Sequence, residues 1–315
     1  MRVLITGADG FVGRALARQL LEAGTLRSRT IERLRLLDLR LDAAADARVE
    51  ALAGDLADDR LLDRAFADGV DVVFHLASIP GGMAEQQYAL ARRVNLDATQ
   101  ALLERCKAQA DAGAAAPVFV FASSIAVFGT LRGPVDDDTP KQPVMSYGMH
   151  KLVGELLVAD FSRRGWIDGR SLRLPGVLAR PPARTGQLSA FLSDLLREPA
   201  AGRPFTCPTS PAATTWASSL PCVVDQLLHG AQVDAAALPA GRALTLPTRR
   251  ASMAELVDAV GRVYGTPAAE LVRYAPDERV EALFARFPPL VTAAAEGAGF
   301  RRDASVDDLV RLALS

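Results

Sequence analysis

The first twenty-one residues constrain the fold of this chain more than any other stretch. Arg2–Thr6 is a short apolar and β-branched run, which is typical of a buried strand. It stops at a glycine-rich stretch, Gly7–Gly13, and a helical repeat of apolar residues then continues to Leu21. The order strand, glycine-rich turn, helix predicts an α/β fold that begins with a nucleotide-binding unit.

The three glycines of this turn have separate predicted roles. Gly7 permits the tight turn, Gly10 lets backbone N–H groups approach a pyrophosphate, and Gly13 lets the helix pack on the sheet. Phe11 and Val12 begin the helix, whose N-terminus presents a partial positive charge to the anion. The alternative is a plain turn with spare glycines.

The second predicted strand, Leu34–Asp38, ends in an acid 25 positions after Gly13. An acid at this point accepts hydrogen bonds from both ribose hydroxyls of an adenosine and repels a 2′-phosphate. Asp38 therefore favours NAD over NADP. Arg40 lies close enough to keep NADP as the alternative, and a solvated acid at a strand end is the other interpretation.

Strands alternate with helices through the first 175 residues, which predicts a doubly wound parallel sheet of the Rossmann type with right-handed crossovers. The further predicted strands are Val49–Ala53, Val72–Ser78, Pro117–Phe121 and Ser171–Leu174, and the helices are Arg60–Ala67, about Glu85–Ala110 after a break at Gly81-Gly82, and Ser146–Arg164.

The regular alternation of strands and helices ends after residue 174. Residues 175–211 are too rich in proline to form one regular element, and they are expected to cap the site. The predicted elements that follow are a short helix at Ser189–Leu196, a last strand at Ala243–Leu246, and helices at Met253–Tyr264 and Val306–Leu314. We expect residues 1–174 to form the dinucleotide-binding domain with a returning segment at about 217–247. Residues 175–216 and 248–315 would form a small substrate-binding lobe.

Composition narrows the class of protein. The chain has 315 residues and a net charge of −1, so electrostatics favour neither a nucleic-acid nor a membrane partner. Its three cysteines share no metal-ligand spacing and suggest reduced thiols in the cytoplasm. Asp136–Asp138 is interpreted as a solvated run, and no metal site is predicted. We expect no export leader and no membrane span.

The spacing of Tyr147 and Lys151 is compatible with proton transfer by the tyrosine hydroxyl. Positions i and i+4 share one face of a helix, which brings the Lys151 ammonium near the Tyr147 ring and hydroxyl. A fixed positive charge lowers the pKa of a phenol, and a phenol tuned in this way exchanges a proton with a substrate alcohol or carbonyl. The spacing alone is common in helices, so this interpretation needs support from other stretches.

Polar side chains near the predicted strand ends give that support. Ser123 and Ser124 end the fifth strand, at the edge where parallel sheets bind ligands, and a hydroxyl there can hydrogen-bond the substrate oxygen.

His75 is interpreted as a hydrogen-bonded interior side chain. A buried Asn95 is expected to hydrogen-bond the backbone of the next strand.

Five motifs occur in order over the first 180 residues: Thr6-Gly7-x-x-Gly10-Phe11-x-Gly13, Asp55-Leu56, His75-Leu76-Ala77, Ser123-Ser124-x-x-Val127-Phe128-Gly129 and Tyr147-x-x-x-Lys151. Together they resemble an extended short-chain dehydrogenase/reductase of the NAD-dependent epimerase/dehydratase family. The resemblance implies that Tyr147 is the catalytic acid/base, that Lys151 holds the nicotinamide ribose and lowers the pKa of Tyr147, and that Ser124 occupies the catalytic Ser/Thr position.

The resemblance also implies a set of cofactor contacts. Asp55 and Leu56 would touch adenine, and Leu76 and Ala77 would line the cofactor path. The full expected NAD-binding set is Gly7, Gly10, Phe11, Val12, Gly13, Asp38, Asp55, Leu56, Leu76, Ala77, Ser78, Asn95, Tyr147, Lys151, Pro175 and Val177.

Two departures from the family pattern narrow the reaction. Dehydratases of the family follow the catalytic Thr with an acidic pair, whereas Ser124 is followed by Ile125-Ala126, which argues against dehydration. Sugar-nucleotide epimerases usually carry an Asn after the sixth strand, where this chain has Gly176. That substitution weakens the nucleotide-sugar interpretation.

A closer resemblance, to the D-erythronate dehydrogenase branch of the family, rests on Val94–Thr99, Tyr147–Lys151, Gly154–Leu157, Asp160–Gly165, Arg173–Pro175 and Arg197–Pro199. That branch oxidises a four-carbon sugar acid at C2 to a 2-keto acid. It often carries a Ser-Pro-Arg near the residues that here read Ser218–Pro221, and the Arg is missing. A carboxylate calls for a bidentate cation, for which Arg180 and Arg184 are candidates unless they are solvated loop arginines.

The expected enzyme is thus an NAD-dependent dehydrogenase of a small sugar acid, with Ser123, Ser124, Tyr147, Arg180 and Arg184 on the substrate side. A nucleotide-sugar epimerase with tightly held NAD and a non-catalytic dinucleotide-binding protein are the alternatives. A homodimer is expected by resemblance, through the helices that carry Leu102, Leu156 and Leu157. The alternative is that these leucines face their own sheet.

Overall fold

The computed structural model describes residues 1–42, 45–180 and 190–315. The strands are β1 Arg2–Thr6, β2 Thr25–Leu26, β3 Arg29–Thr30, β4 Arg33–Asp38, β5 Val49–Ala53, β6 Val72–His75, β7 Val118–Ser124, β8 Asp168–Leu174, β9 Gly176–Val177, β10 Phe205–Cys207, β11 Thr214–Ser218, β12 Ala243–Thr245, β13 Arg249–Ser252 and β14 Val272–Tyr274. The α-helices are α1 Phe11–Ala23, α2 Asp59–Phe66, α3 Gly81–Gln86, α4 Tyr88–Arg92, α5 Ala98–Asp111, α6 Ser146–Arg163, α7 Phe191–Ala200, α8 Leu220–Gln232, α9 Met253–Tyr264, α10 Ala268–Leu271, α11 Glu278–Phe284, α12 Ala293–Gly297 and α13 Val306–Ala313.

Seven strands form one parallel sheet in the order β12-β8-β7-β6-β1-β4-β5. The middle strand β1 pairs with β4 and β6, so that Ile5 lies opposite Leu36 on one side and Phe74 on the other. Helices cover both faces, which explains why the central strands β1, β6 and β7 are largely apolar. The predicted doubly wound Rossmann sheet is confirmed, including the last strand β12 at its edge.

The long helix predicted from about Glu85 to Ala110 is wrong in detail. The chain instead forms α3, α4 and α5, with a single π-helical turn, Arg93–Asp97, between the last two. Gly81 and Gly82 do not break the chain either, because they lie in the first turn of α3, after its N-cap Pro80. Glycine is tolerated there because the first N–H groups of a helix have no intrahelical partners.

The C-terminal part of the chain builds two smaller sheets and a second apolar core. β11 pairs in parallel with β9 and antiparallel with β13, and β10 pairs with β14. The second core is centred on α7, α9 and α13, with Leu195, Leu256 and Leu309 fully buried. The predicted helix at Ser189–Leu196 corresponds to α7, although Ser189 itself lies outside the described residues.

The returning segment contributes to both cores. Val223, Val224 and Leu227 of α8 pack with Leu16 and Leu20 of α1 beside the central sheet. β11, in contrast, belongs to the three-stranded sheet. The division into a dinucleotide-binding domain and a substrate lobe stays a prediction.

The apolar helix positions considered for a dimer do not behave alike. Leu102 is fully buried in the core beside the sheet, and Leu157 packs against the same core. Leu156 is 64% exposed. Leu102 and Leu157 therefore face their own sheet, which was the alternative interpretation. The homodimer stays a prediction. The three cysteines are unpaired, and among the described helices none is long and apolar enough to cross a membrane.

Candidate active site

The glycine-rich turn is crowded at two glycines and open at the third. Gly7 has a φ of 70°, and a Cβ there would lie 2.6 Å from the Ala77 nitrogen. A Cβ on Gly13 would lie 2.1 Å from the Gly7 carbonyl oxygen. Gly10 is exposed and is the N-cap of α1, with no side-chain cap hydrogen bond. Among the described atoms, a Cβ on Gly10 would approach only the Gly7 carbonyl oxygen. An open helix N-terminus of this kind fits a pyrophosphate.

Gly13→Ala should therefore damage the cofactor site. Its methyl group would collide with backbone atoms of Gly7 and Ala8, which cannot rotate away as a side chain can. We expect NAD affinity to fall at least about tenfold and the free energy of unfolding to fall by roughly 1–3 kcal/mol. Gly133→Ala is the matched control, because no described atom lies within contact distance of its added methyl group. Equal NAD titrations and melting curves for the two variants would contradict this account of the turn.

Asp38 lies beside the glycine-rich turn. Its carboxylate accepts hydrogen bonds from the backbone nitrogens of Asp9, at 2.9 Å, and Leu39, at 2.7 Å. The Gly7 nitrogen donates to the Leu37 carbonyl at 2.9 Å, which ties the turn to the end of β4. The acid thus stands where a ribose bound over the turn would meet it. The contact of Asp38 with an NAD ribose stays a prediction.

Three other predicted cofactor residues have occupied or buried side chains. Asp55 pairs with Arg93 at 2.5 Å, so an adenine contact would compete with or share that ion pair. Leu56 is buried in the core, which leaves its main chain as the group nearest to a ligand. Asn95 receives a hydrogen bond from the Ile79 nitrogen at 2.7 Å and donates to the Ile79 oxygen at 3.0 Å. Asn95 thus binds the loop after β6, not the next strand as predicted.

His75 is an interior histidine, as the sequence indicated. It is fully buried, and its two ring nitrogens lie 2.7 Å from Thr6 Oγ1 and 2.8 Å from Thr99 Oγ1. Burial, with a smaller effect of the Lys151 charge, lowers the pKa of His75 to about 3. A neutral imidazole with both nitrogens hydrogen-bonded is structural.

Helix α6 brings Tyr147 and Lys151 to the carboxyl ends of β7 and β8. Two glycines let it approach closely, because a Cβ on Gly148 would lie 2.3 Å from the Ala126 oxygen and one on Gly154 would lie 2.5 Å from the Phe121 ring. Lys151 is 3% exposed, and its Nζ lies 5.7 Å from the centre of the Tyr147 ring and 4.8 Å from that of Phe121. The predicted pair is therefore brought together.

The predicted direction of the Tyr147 pKa is wrong. Burial raises the pKa of Tyr147 above its ordinary value. The hydroxyls of Ser124 and Ser78 and the positive charge of Arg180 oppose this change without overcoming it. The Lys151 ammonium would favour the phenolate, but burial keeps that lysine only partly charged, so it does not reverse the effect of burial on the pKa of Tyr147.

Lys151 carries the second displaced pKa of the site. Burial lowers the pKa of Lys151 to about 7, and the Coulombic attraction of Glu155 partly opposes that change. A lysine with this pKa is about half charged at neutral pH. Perturbed groups of this kind in a cleft are typical of functional sites.

Ser123 and Ser124 are adjacent in the sequence, but their side chains have different partners. Ser124 Oγ accepts a hydrogen bond from the Ala126 nitrogen at 3.2 Å, and its hydroxyl lies close enough to Tyr147 to affect its titration. Ser123 is 2% exposed and donates a 2.5 Å hydrogen bond to Glu155. A buried hydroxyl that is already engaged cannot contact substrate, so we leave Ser123 out of the proposed substrate site.

Of the two candidate arginines, Arg180 stands near the site. Its positive charge acts on Tyr147, and its backbone nitrogen donates to Ser193 Oγ at 3.2 Å, which anchors the segment to α7. Arg184 lies outside the described residues. Pro175 and Val177 are buried where the chain passes from β8 into β9, and β9 pairs with Ala217 and Ser218.

Sequence reasoning missed some of the residues around Tyr147. Ser78, assigned to the cofactor alone, has its hydroxyl near the phenol. Glu155, one helical turn after Lys151 on α6, forms a buried ion pair with Arg173 at 2.7 Å. The spacing of Glu155, four residues after Lys151, was the available signal. Among the described residues, no group of acidic, histidine or cysteine side chains could hold a metal ion.

Comparison with known proteins identifies the family of this chain. The model of the NAD dependent epimerase/dehydratase family matches residues 3–213. The chain therefore belongs to the NAD-dependent epimerase/dehydratase family, and it is an NAD-dependent oxidoreductase acting on CH–OH groups.

Two curated relatives and one solved structure are similar over nearly the whole chain. The D-erythronate dehydrogenase of Cupriavidus necator is 40% identical, with 99% of this chain and 97% of that protein covered. The D-erythronate dehydrogenase of Haemophilus influenzae is 31% identical, with 99% and 98% covered. The crystal structure of a nucleoside-diphosphate-sugar epimerase from Agrobacterium tumefaciens is 34% identical, with a TM-score of 0.92 over 98% of this chain and 92% of that one.

Proposed function

We propose that this protein oxidises the C2 hydroxyl of D-erythronate, or of a closely related small sugar acid, to the 2-keto acid with NAD. The observation that carries the proposal is the pairing of Tyr147 with the buried Lys151, whose Nζ lies 5.7 Å from the centre of the Tyr147 ring. The positive charge of Arg180, which opposes the rise in the pKa of Tyr147, suits a substrate whose reacting hydroxyl neighbours a carboxylate. The two curated D-erythronate dehydrogenases that cover almost the whole chain support the same substrate class.

Each step of the proposed chemistry is assigned to a side chain near Tyr147. Tyr147, as phenolate, takes the proton of the substrate hydroxyl as the C–H bond breaks. Ser124 donates a hydrogen bond to the same oxygen and stabilises the charge that develops there. NAD, when bound, supplies the hydride acceptor. Reversal of these steps reduces a keto acid, with Tyr147 returning the proton.

Lys151 is proposed to act by its charge. A lysine ammonium next to Tyr147 favours the phenolate over the neutral phenol, which is the direction that burial alone opposes. The family resemblance also assigns Lys151 to the nicotinamide ribose, and its place one helical turn from Tyr147 is compatible with both roles.

The position of Arg180 sets the proposed regiochemistry. In this proposal the Arg180 guanidinium, whose charge acts on the pKa of Tyr147, holds the substrate carboxylate next to the carbon that is oxidised. Oxidation at C2 satisfies that geometry, whereas oxidation at C4 would place the carboxylate at the far end of a four-carbon acid. This argument does not depend on the missing Arg near Ser218–Pro221.

Arg180→Leu is expected to lower kcat/KM for D-erythronate by about a hundredfold to a thousandfold. Loss of a bidentate hydrogen-bonded carboxylate contact removes roughly 3–4 kcal/mol of binding, and most of the effect should appear in KM. Arg180→Lys should recover part of it, since the charge remains but the fork is lost. Steady-state NADH formation measures both variants.

Arg203→Leu is the matched control for this prediction. Arg203 is an exposed arginine that pairs with Glu198 at 2.6 Å, and its removal should leave kcat/KM unchanged. A normal KM for D-erythronate in Arg180→Leu would show that another cation holds the carboxylate.

A nucleotide-sugar epimerase is the second candidate, because the similar structure from Agrobacterium tumefaciens is that of a nucleoside-diphosphate-sugar epimerase. Such an enzyme would keep NAD bound and produce no net NADH. Gly176 weighs against it, since β9 continues as backbone pairing with Ala217 and offers no side chain to a diphosphate. Inversion of a UDP-sugar without NADH accumulation would favour this candidate.

A further inference from the structure

Glu155 is a buried acid one helical turn after Lys151, on the same face of α6. It is 3% exposed, and both of its oxygens are engaged. Oε1 accepts hydrogen bonds from Ser123 Oγ at 2.5 Å and from Arg173 Nε at 2.9 Å, and Oε2 accepts one from Arg173 Nη2 at 2.7 Å. The carboxylate is therefore held in one orientation.

The groups that hold Glu155 come from the strands that form the floor of the site. Ser123 precedes Ser124 at the end of β7, and Arg173 is near the end of β8. Arg173 Nη1 also donates to Thr245 Oγ1 on β12 at 3.3 Å, and its guanidinium carbon lies 5.5 Å from the Phe128 ring. The Glu155 carboxylate thus connects α6 to β7 and β8, and Arg173 extends the connection to β12.

Stability alone does not account for this arrangement. Burying two charges costs free energy that their attraction often does not recover, and an apolar pair of similar volume is frequently as stable. The acid of this ion pair also lies one helical turn from a buried lysine, whose charge it favours. This location indicates a role in the electrostatics of the site.

Glu155 is the negative group that acts on Lys151 within the described part of the chain. The two residues do not form a direct ion pair there, because the Glu155 oxygens face Arg173 and Ser123. Glu155 nonetheless attracts the ammonium through low-dielectric protein. The neighbouring histidines do not compensate for it: burial lowers the pKa values of His75 on β6 and of His150 on α6, which keeps both neutral.

We propose that Glu155 is a positioning residue, held by Arg173 and Ser123 so that its charge keeps the buried Lys151 protonated beside Tyr147. The same bonds fix the end of β7 that presents Ser124. This role deepens the proposed dehydrogenase function and rests on it for its catalytic meaning. The charge on Lys151 itself is measured without any substrate, so the two ideas fail separately.

The chain suits a direct measurement because it has three lysines, Lys107, Lys141 and Lys151. Protein labelled with ¹³C at lysine Cε gives three titrating NMR signals, and the Lys151→Met variant assigns the buried one. In Glu155→Gln we expect the Lys151 midpoint to fall by about one pH unit or more, the size expected for a unit charge one helical turn away. Glu155→Asp keeps the charge and should restore most of the wild-type midpoint.

Glu104→Gln is the matched control, because Glu104 acts on the charge of Lys107 on α5 and should leave the Lys151 signal in place. Glu155→Gln leaves the charge of Arg173 buried without its partner, which can prevent folding. The double variant Glu155→Gln/Arg173→Gln removes both charges and is the second variant to be titrated. Its Lys151 midpoint should also lie below that of the wild type. An unchanged or higher Lys151 midpoint in the folded variants would overturn the proposal, whatever their activity with sugar acids.

Discussion

Tyr147→Phe is expected to reduce turnover by roughly a thousandfold or more while NAD affinity stays within a few-fold of the wild type. A positioned acid/base contributes about a hundred- to ten-thousandfold to a proton transfer. The variant keeps the aromatic ring that lies 5.7 Å from Lys151 Nζ and removes the hydroxyl near Ser124 and Ser78. The fold and the cofactor cleft should therefore survive. NADH formation and a fluorescence titration with NAD measure the two effects separately.

Tyr264→Phe makes the same chemical change at the end of α9, where the side chain is 39% exposed. It should leave both turnover and NAD affinity unchanged. Near-normal turnover in Tyr147→Phe would mean that another group transfers the proton. Loss of NAD binding along with turnover would mean that the phenol is structural.

Lys151→Met is expected to lower turnover by at least about a hundredfold and, at the same time, to stabilise the fold. Methionine has a similar length and fills the same buried space without a charge. Burial lowers the pKa of Lys151 from an ordinary 10.5 to about 7, so the charged lysine is disfavoured in the folded protein. Each pKa unit corresponds to about 1.4 kcal/mol, which makes the gain in stability on the order of a few kcal/mol at neutral pH.

The extra stability of Lys151→Met depends on pH, because the folded and unfolded wild-type proteins bind the Lys151 proton differently. Between about pH 7 and 10.5 the unfolded chain keeps the Lys151 proton and the folded protein releases it, so wild-type stability rises with pH in this window. The advantage of Lys151→Met should therefore be largest at or below pH 7 and disappear by about pH 10.5. Thermal or denaturant unfolding at pH 6, 8 and 10 measures it.

Lys107→Met serves as the control for the lysine, because Lys107 pairs with Asp111 at 2.6 Å at the surface of α5. It should change neither activity nor stability by more than about 0.5 kcal/mol. A Lys151→Met protein that is less stable than the wild type at every pH would show that the ammonium is satisfied in the fold. Such a result would remove the physical basis for its low pKa.

Local patterns explain why much of the fold was predictable. β1, β5 and α9 have the bounds that were expected, since apolar runs and helical periodicity depend on neighbouring residues. Gly7 was predicted to permit a tight turn, and its φ is 70°. Gly13 was predicted to allow close helix packing, and a Cβ there would lie 2.1 Å from the Gly7 carbonyl oxygen. Tyr147 and Lys151 were brought together because one helical turn sets their separation.

The errors concern features that depend on distant parts of the chain. Ser123 and Ser124 are equivalent in the sequence, but packing against α6 turns Ser123 toward Glu155 and leaves Ser124 near Tyr147. The partner of Asn95 is Ile79, which lies in a loop sixteen residues earlier. The direction of the Tyr147 pKa depends on how much burial outweighs nearby charges, which spacing does not reveal.

The most direct test of the proposed function is NADH formation by the purified protein with NAD and D-erythronate, run beside other four-carbon to six-carbon aldonic and uronic acids. We predict an absorbance increase with D-erythronate that Tyr147→Phe abolishes, with the 2-keto acid as product. Absence of NADH across the panel would contradict the proposal. In that case, interconversion of a nucleotide sugar by protein with retained NAD would identify an epimerase, and NAD binding without either reaction would indicate a non-catalytic role.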